Sequence, residues 1–269
     1  MPPRFGVIRV LQLSDPHLLA DPRGRCRNRE ALACLRHGWQ QALQQLQSPP
    51  DLLLISGDLC QDESWGGYAR LREFLAECLA PAAIPVALLP GNHDHPALLR
   101  AALARSAQLA PTLVPIGGWE LLLLSSHRPG VVAGWLDFAQ LAWLERQLVA
   151  STRPLLVAVH HPPLPIGHGE LDAIALRQPT ELMEHLLAQP RVRGLVFGHV
   201  HQHWQGQLPR AAGAPPLRLW GCPSSLASFE AVQPCPLGHA DWPGGRLLRL
   251  HPDGEITTRL LRWPPVQPA

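Results

Sequence analysis

Five short polar clusters hold the residues of this chain best suited to chemistry: Asp15-Pro16-His17, Gly57-Asp58, Gly91-Asn92-His93-Asp94, His160-His161 and Gly198-His199-Val200-His201. Together they offer carboxylates, an amide oxygen and imidazoles, a donor set that suits borderline-hard divalent cations such as Mn, Fe, Zn or Ni. The donors outnumber what one ion needs. A carboxylate can bridge two ions, and two ions about 3.5–4 Å apart clamp the oxygens of a phosphoryl transfer. Glycines ahead of Asp58, Asn92 and His199 let the backbone turn where a side chain would block a ligand. Taken one at a time the clusters have plainer meanings: a helix-entry turn at Asp15, a common turn dipeptide at Gly57-Asp58, a solvated loop at His160-His161 before two prolines. Only their joint order argues for a metal centre.

The elements around them supply the reason they could meet. Apolar runs predict strands over 7–13, 51–56, 84–89, 113–116, 120–125, 155–159 and 194–197. Helical spacing predicts helices over 28–46, with Asn28 as N-cap, and over 64–79, 96–107, 137–149 and 180–188. Each polar cluster lies just after the C-terminal end of a predicted buried strand, where ligands bind in open α/β sheets. Residues 204–269 differ, with short candidate strands over 217–220, 246–251 and 255–261 and a hairpin turn at Pro252-Asp253-Gly254. The expected organisation is one α/β domain over 1–269. Residues 1–203 would carry the motifs, and 204–269 would form an antiparallel, strand-rich completion of the second sheet.

Composition narrows the function classes. Hydrophobic residues make up 46% and charged residues 16% of the 269, enough apolar surface for a sizeable core. All 23 basic residues are arginine, yet the net charge is only +2, so there is no electrostatic footprint for nucleic acid or a membrane surface. No stretch approaches the roughly 18 apolar residues of a membrane span. Arg4 and Arg9 interrupt the apolar residues of 1–13, which therefore do not read as a signal peptide. Six cysteines without a CxxC pair fit reduced thiols and a cytoplasmic location.

The ordered set D-x-H, GD, GNHD, HH and GHxH resembles the calcineurin-like metallophosphoesterase superfamily, from Asp15 to His201. Within it, Asp58-Leu59-Cys60-Gln61-Asp62-Glu63-Ser64 with Tyr68 and Leu71, the stretch GVVAGWLDFAQLAWL over 130–144, and the tail from Cys222 through HADWPGGRLLRLHPDG resemble the bacterial class III cyclic-nucleotide phosphodiesterases. The resemblance implies a four-layer α/β/β/α sandwich of two mixed sheets flanked by helices, with the site at the C-terminal loops of the strands. It implies two divalent transition-metal ions, Fe and Mn before Zn, one held by Asp15, His17 and His201 and the other by Asn92, His160 and His199. Asp58 would bridge them, and a shared water or hydroxide would be the nucleophile. His93 would stand beside the leaving-group or a phosphoryl oxygen as proton donor, oriented by Asp94, with His161 behind the ligands. The implied reaction opens 3′,5′-cyclic AMP to 5′-AMP, with a small cyclic nucleotide as substrate and a homodimer as possible assembly. Two alternatives remain: the same centre acting on glycerophosphodiesters, 2′,3′-cyclic nucleotides or a lipid pyrophosphate, and an interaction scaffold without turnover. The scaffold reading predicts lost ligands, and none is lost. Cys60 is not expected to bind metal, His168 and His203 read as surface-loop residues, and Trp135 and Trp220 are the candidate adenine contacts.

Overall fold

The computed structural model describes residues 6–79, 82–210 and 213–267; Arg4, used above, lies outside them. A first sheet runs in the order β14 (Ile256–Arg262), β13 (Gly244–Leu250), β1 (Ile8–Leu13), β4 (Leu52–Ser56), β5 (Val86–Leu89), β6 (Gln108–Leu109). A second runs β11 (Trp204–Leu208), β12 (Leu217–Gly221), β10 (Val192–Phe197), β9 (Leu155–Val159), β8 (Trp119–Leu123), β7 (Thr112–Ile116). Both are mixed: β1, β4, β5 and β6 are parallel, as are β12, β10, β9 and β8, while antiparallel strands close one edge of the first sheet and both edges of the second.

The central strands read as continuous apolar runs because both of their faces are covered. Leu53 and Ile55 of β4 face one way, into a core with Trp39 of α1 (Ala31–Leu46) and Phe74 of α2 (Trp65–Cys78). Leu52 and Leu54 face the other way, onto Leu121, Leu123, Leu156 and Ala158 of the second sheet. The far face of that sheet, Leu155, Val157 and Val159, packs on Leu144 of α4 (Phe138–Ala150) and Leu186 of α6 (Pro179–Ala188). The result is the expected α/β/β/α sandwich. Each fully buried leucine contributes about 1.5–3 kcal/mol, so the layers are held chiefly by these alternating faces. Among the described residues, no helix is long and apolar enough to cross a membrane.

Several local expectations need correction. Helix α1 begins at Ala31 with Glu30 as N-cap, whereas Asn28 and Arg27, at φ 61° and 51°, form the turn of a small hairpin, β2 (Arg25–Cys26) to β3 (Arg29–Glu30). Asparagine suits left-handed turns as well as N-caps, so its identity could not decide between them. Helix α3 (Pro96–Leu103) stops short of 107 because the chain must turn into β6. A short helix, α5 (Gly169–Ala173), was not anticipated. The tail also does not complete the second sheet alone. Strands β11 and β12 do join that sheet, with β12 parallel to β10, but β13 and β14 extend the first sheet from β1.

Candidate metal centre

Parallel pairing between β1 and β4 continues past the strand ends and places the first two clusters side by side. The backbone N–H groups of Asp15, His17 and Leu18 donate to the carbonyls of Gly57 (3.1 Å), Asp58 (2.9 Å) and Leu59 (3.0 Å). Asp15, His17, Asp58, His199 and His201 all adopt left-handed φ, between 47° and 67°. Such conformations are costly for residues with a Cβ and gather at functional sites. Here they turn the first and third residues of D-x-H and H-x-H toward a common point.

Two donor groups result. Ligand atoms of Asp15, His17, Asp58 and His201 lie within 4.8 Å of one another, and all four residues are buried. His201 Nε2 is 3.4 Å from Asp15 Oδ1 and 3.1 Å from His17 Nε2. The second group is His160, His161 and His199, also within 4.8 Å. His160 Nε2 is 3.3 Å from the Asn92 amide oxygen. His161 is the odd member. Its Nε2 donates to the Val132 carbonyl (2.9 Å) and its Nδ1 accepts from the Ser126 hydroxyl (2.7 Å), so neither nitrogen is free and the ring braces its neighbours. Asp58 joins the two groups: Oδ2 lies 3.8 Å from His17 Nε2 and Oδ1 3.5 Å from His160 Nε2.

Hydrogen bonds to the outer nitrogens show which lone pairs point inward. A carbonyl only accepts, so His160 Nδ1 donates to Ser56 O (2.8 Å) and His201 Nδ1 to Ala227 O (3.0 Å). Both Nε2 atoms then face the centre, as metal-binding imidazoles do. Burial pushes His17 down to about 4, and burial with two neighbouring imidazoles holds His199 well below the usual range. Both are therefore neutral and ligand-competent at pH 7. Burial also lowers His160, but Asp58 overrides it and lifts the ring to about 9, so a cation arriving there displaces a proton. Burial would raise the Asp58 carboxyl, yet His160 holds it well below its ordinary value.

The residues fit divalent cations on three counts. His199 Nε2 is buried without a partner among the described residues. Two imidazole Nε2 atoms meet at 3.1 Å beside two buried carboxylates. The donors are carboxylate, amide and imidazole, without thiolate. Cys60 is turned away, its Sγ 3.1 Å from Asp62 Oδ1, and burial pushes its thiol up to about 12.

Asn92 and His93 stand at the rim. The His93 N–H donates to Asp58 Oδ1 (2.9 Å), and the His93 ring meets the His17 ring edge-on at 5.2 Å. Asp94 does not orient His93. Its carboxylate accepts from the N–H groups of Leu59 (3.0 Å), Cys60 (3.0 Å) and Gly91 (2.8 Å) and from the Tyr68 hydroxyl (3.0 Å), tying two loops together. That clasp requires Gly91, whose Cβ would lie 2.1 Å from Asp58 Oδ1. Gly91→Ala is expected to displace Asp58 and to reduce Mn(II) uptake, measured by elemental analysis, while circular dichroism stays unchanged. Full uptake would show that the loop can shift freely.

The remaining candidates separate. His203 is buried, not a loop surface residue: its Nδ1 accepts from Arg246 (2.9 Å) in the core. His168 precedes α5 and makes no capping hydrogen bond. Trp220 packs between the sheets, away from solvent. Trp135 lines a cleft of about 670 Å³ with His127, Arg128, Gln140 and Trp143, and the Arg128 guanidinium lies 4.5 Å above its ring. The Trp135 backbone N–H donates to Ser126 O (2.9 Å), and the Ser126 hydroxyl holds His161, which links the Trp135 segment to the centre through one residue. Sequence reasoning gave no role to Ser126, nor to Phe229, on which His201 stacks at 4.3 Å. Neither has a motif signal.

The family model for calcineurin-like phosphoesterases matches residues 8–203. Over 261 residues the chain is 48% identical to a protein of Synechococcus sp. (strain WH7803) named "Probable cyclic nucleotide phosphodiesterase", covering 95% of this chain and 96% of that one. It is 35% identical over 260 residues to the 3′,5′-cyclic adenosine monophosphate phosphodiesterase CpdA of Pseudomonas aeruginosa, covering 94% and 89%. Among solved structures, a dimetal phosphatase from Danio rerio shares the fold with a TM-score of 0.63 at 14% identity, covering 95% of this chain and 99% of that one. With a family model that takes in every strand exit described above and relatives matched nearly end to end, the chain belongs to the calcineurin-like phosphoesterase family.

Proposed function

We propose that this chain is a dinuclear-metal phosphodiesterase that opens 3′,5′-cyclic AMP to 5′-AMP. The observation that carries the reading is Asp58, a buried carboxylate whose two oxygens face two different donor groups. Asp15, His17 and His201 would hold one cation, Asn92, His160 and His199 the other, with Asp58 shared. When bound, the two cations, which we take to be Fe or Mn before Zn, supply the charge that activates water and neutralises the phosphoryl oxygens. Everything else falls to the chain. Its buried ligands exclude solvent, its clasped loops hold the donors in place, and His93 faces the reacting group from the rim. Both relatives are named for cyclic-nucleotide phosphodiesterase activity, one of them as probable, which supports this substrate over other diesters. Six free cysteines suit a reducing compartment, and we place the enzyme in the cytoplasm, working as a monomer or a homodimer.

The test is a panel of 3′,5′-cyclic AMP, cyclic GMP, 2′,3′-cyclic AMP, glycerophosphoethanolamine and a phosphomonoester, on protein of measured metal content. Cyclic AMP should be turned over fastest, with 5′-AMP as product. A strong chelator should abolish turnover, and Mn or Fe should restore it. Release of 3′-AMP, or turnover of glycerophosphodiesters alone, would remove the substrate assignment. The adenine would lie against Trp135, in the cleft that this ring lines. Base–aromatic stacking is worth about 1–3 kcal/mol, so Trp135→Ala should raise KM for cyclic AMP by about tenfold and leave kcat nearly unchanged. An unaltered KM would place the base elsewhere.

A further inference from the structure

Gln61 lies in the loop after β4, inside the stretch that resembles the class III enzymes. Its backbone N–H donates to Leu18 O (2.8 Å), which fixes the residue beside the first metal-ligand cluster. From there its amide reaches two histidines at once. Oε1 lies 2.7 Å from His17 Nδ1, and Nε2 lies 3.3 Å from His93 Nδ1. The Cys26 thiol also points at Oε1, at 3.6 Å. An amide oxygen accepts and an amide nitrogen donates, so this arrangement has one consistent proton assignment. His17 carries its proton on Nδ1, and His93 accepts at Nδ1 and carries its proton on Nε2. The reverse orientation of the amide would put an acceptor against His93 and a donor against His17, forcing the His17 proton onto Nε2, the atom that faces Asp58 and His201.

We propose that Gln61 is the positioning residue of this centre, one amide setting the tautomers of two imidazoles. It leaves the His17 Nε2 lone pair free for a cation and aims the His93 Nε2–H at the reacting phosphoryl group. The assignment rests on the phosphodiesterase reading only for what His93 faces. It also changes what His93 does. A ring that accepts at Nδ1 offers its single proton as a hydrogen bond to oxygen gathering charge, in place of the proton transfer expected from the sequence.

The first measurement uses the unaltered protein, labelled with 15N at histidine and loaded with diamagnetic Zn(II). Long-range 1H–15N spectra should show His17 protonated at Nδ1 and His93 protonated at Nε2 alone. A proton on His93 Nδ1, or on His17 Nε2, overturns the proposal. The second compares variants by competing Mn(II) against a fluorescent chelator. Gln61→Leu removes the acceptor behind His17 and should weaken Mn(II) binding about 10- to 100-fold, the usual effect of losing a partner behind a metal ligand. Gln61→Glu keeps an acceptor toward His17 and should restore most of that affinity, but it offers His93 no donor, so the His93 proton should move to Nδ1. Wild-type Mn(II) affinity in Gln61→Leu overturns the proposal, and if that variant does not fold, the spectra of the unaltered protein decide. Neither readout uses cyclic AMP. Protein with these tautomers that fails to open cyclic AMP would lose its substrate and keep the Gln61 assignment, whereas turnover with the opposite tautomers would do the reverse.

Discussion

Asp58→Ala is expected to abolish turnover and empty both cation positions together. Among the described residues Asp58 is the one carboxylate with an oxygen toward each donor group, so its loss removes a donor and a negative charge from each. Replacing His17 or His160 would instead strip a single neutral donor from one position. Bound cations are worth several kcal/mol of transition-state stabilisation, and 1.4 kcal/mol is a factor of ten, so activity should fall by at least about 10³-fold. The fold should survive. In metal-free protein the carboxylate sits near buried Asp94, whose own pKa is pushed up to about 7 by burial and by the Asp58 charge. Removing Asp58 relieves that repulsion while forfeiting the His93 N–H hydrogen bond. The discriminating measurement is thermal: Mn(II) should raise Tm of the unaltered protein, because a ligand bound only by the native state stabilises it, and should leave Tm of the variant unmoved. A variant that kept two ions per chain and normal turnover would show that Asp58 does not bridge.

What the sequence made legible, and what it hid, divides along a physical line. Strands such as β4 and β9 are short apolar runs buried on both faces, and their ends are marked by the polar residues that follow them. The strand exits, and hence every candidate ligand, could therefore be placed from local pattern. Sheet membership could not. The alternation in β13 shows only that it is a strand, and its pairing with Ile8–Leu13 closes a loop of more than 200 residues that leaves no local trace. Strand β11, Trp204-Gln205-Gly206-Gln207-Leu208, is an edge with Gln205 and Gln207 toward solvent, and it reads as loop. Buried polar pairs were hidden for a related reason. His203 looks like a solvated residue until Arg246, from another strand, is brought against its Nδ1. Asp94 follows His93 in sequence, which suggested that one orients the other. In space its oxygens accept from Leu59 and Cys60 of the loop after β4, from Gly91 of its own loop and from the Tyr68 hydroxyl. Local sequence predicted the ligands because each follows the end of a buried strand, where the chain turns at the shared rim of the two sheets. It failed for the residues behind them, whose partners come from elsewhere in the chain.

His93→Ala should separate binding of the cations from assistance to the leaving group. The ring lies against His17 but is not assigned as a ligand, and the contact it makes to Asp58 is through its backbone N–H, which alanine retains. Metal content, by elemental analysis, should therefore stay near that of the unaltered protein. The departing 3′-oxygen of cyclic AMP is a poor leaving group that gathers nearly a full charge as the P–O bond breaks. A hydrogen bond donated to it from His93 Nε2 is strongest at that moment, and loss of one such preorganised donor costs about 10²–10³ in kcat. p-Nitrophenolate spreads its charge over the ring, so bis(p-nitrophenyl) phosphate should lose far less. Equal losses on the two substrates with metal intact would move the donor from the leaving oxygen to a non-bridging phosphoryl oxygen, whose charge changes alike in both reactions. Loss of metal together with equal loss of both activities would reduce His93 to a brace for the Asn92 loop. The split between substrates, read at fixed metal content, is therefore the measurement that assigns His93 its place in the reaction.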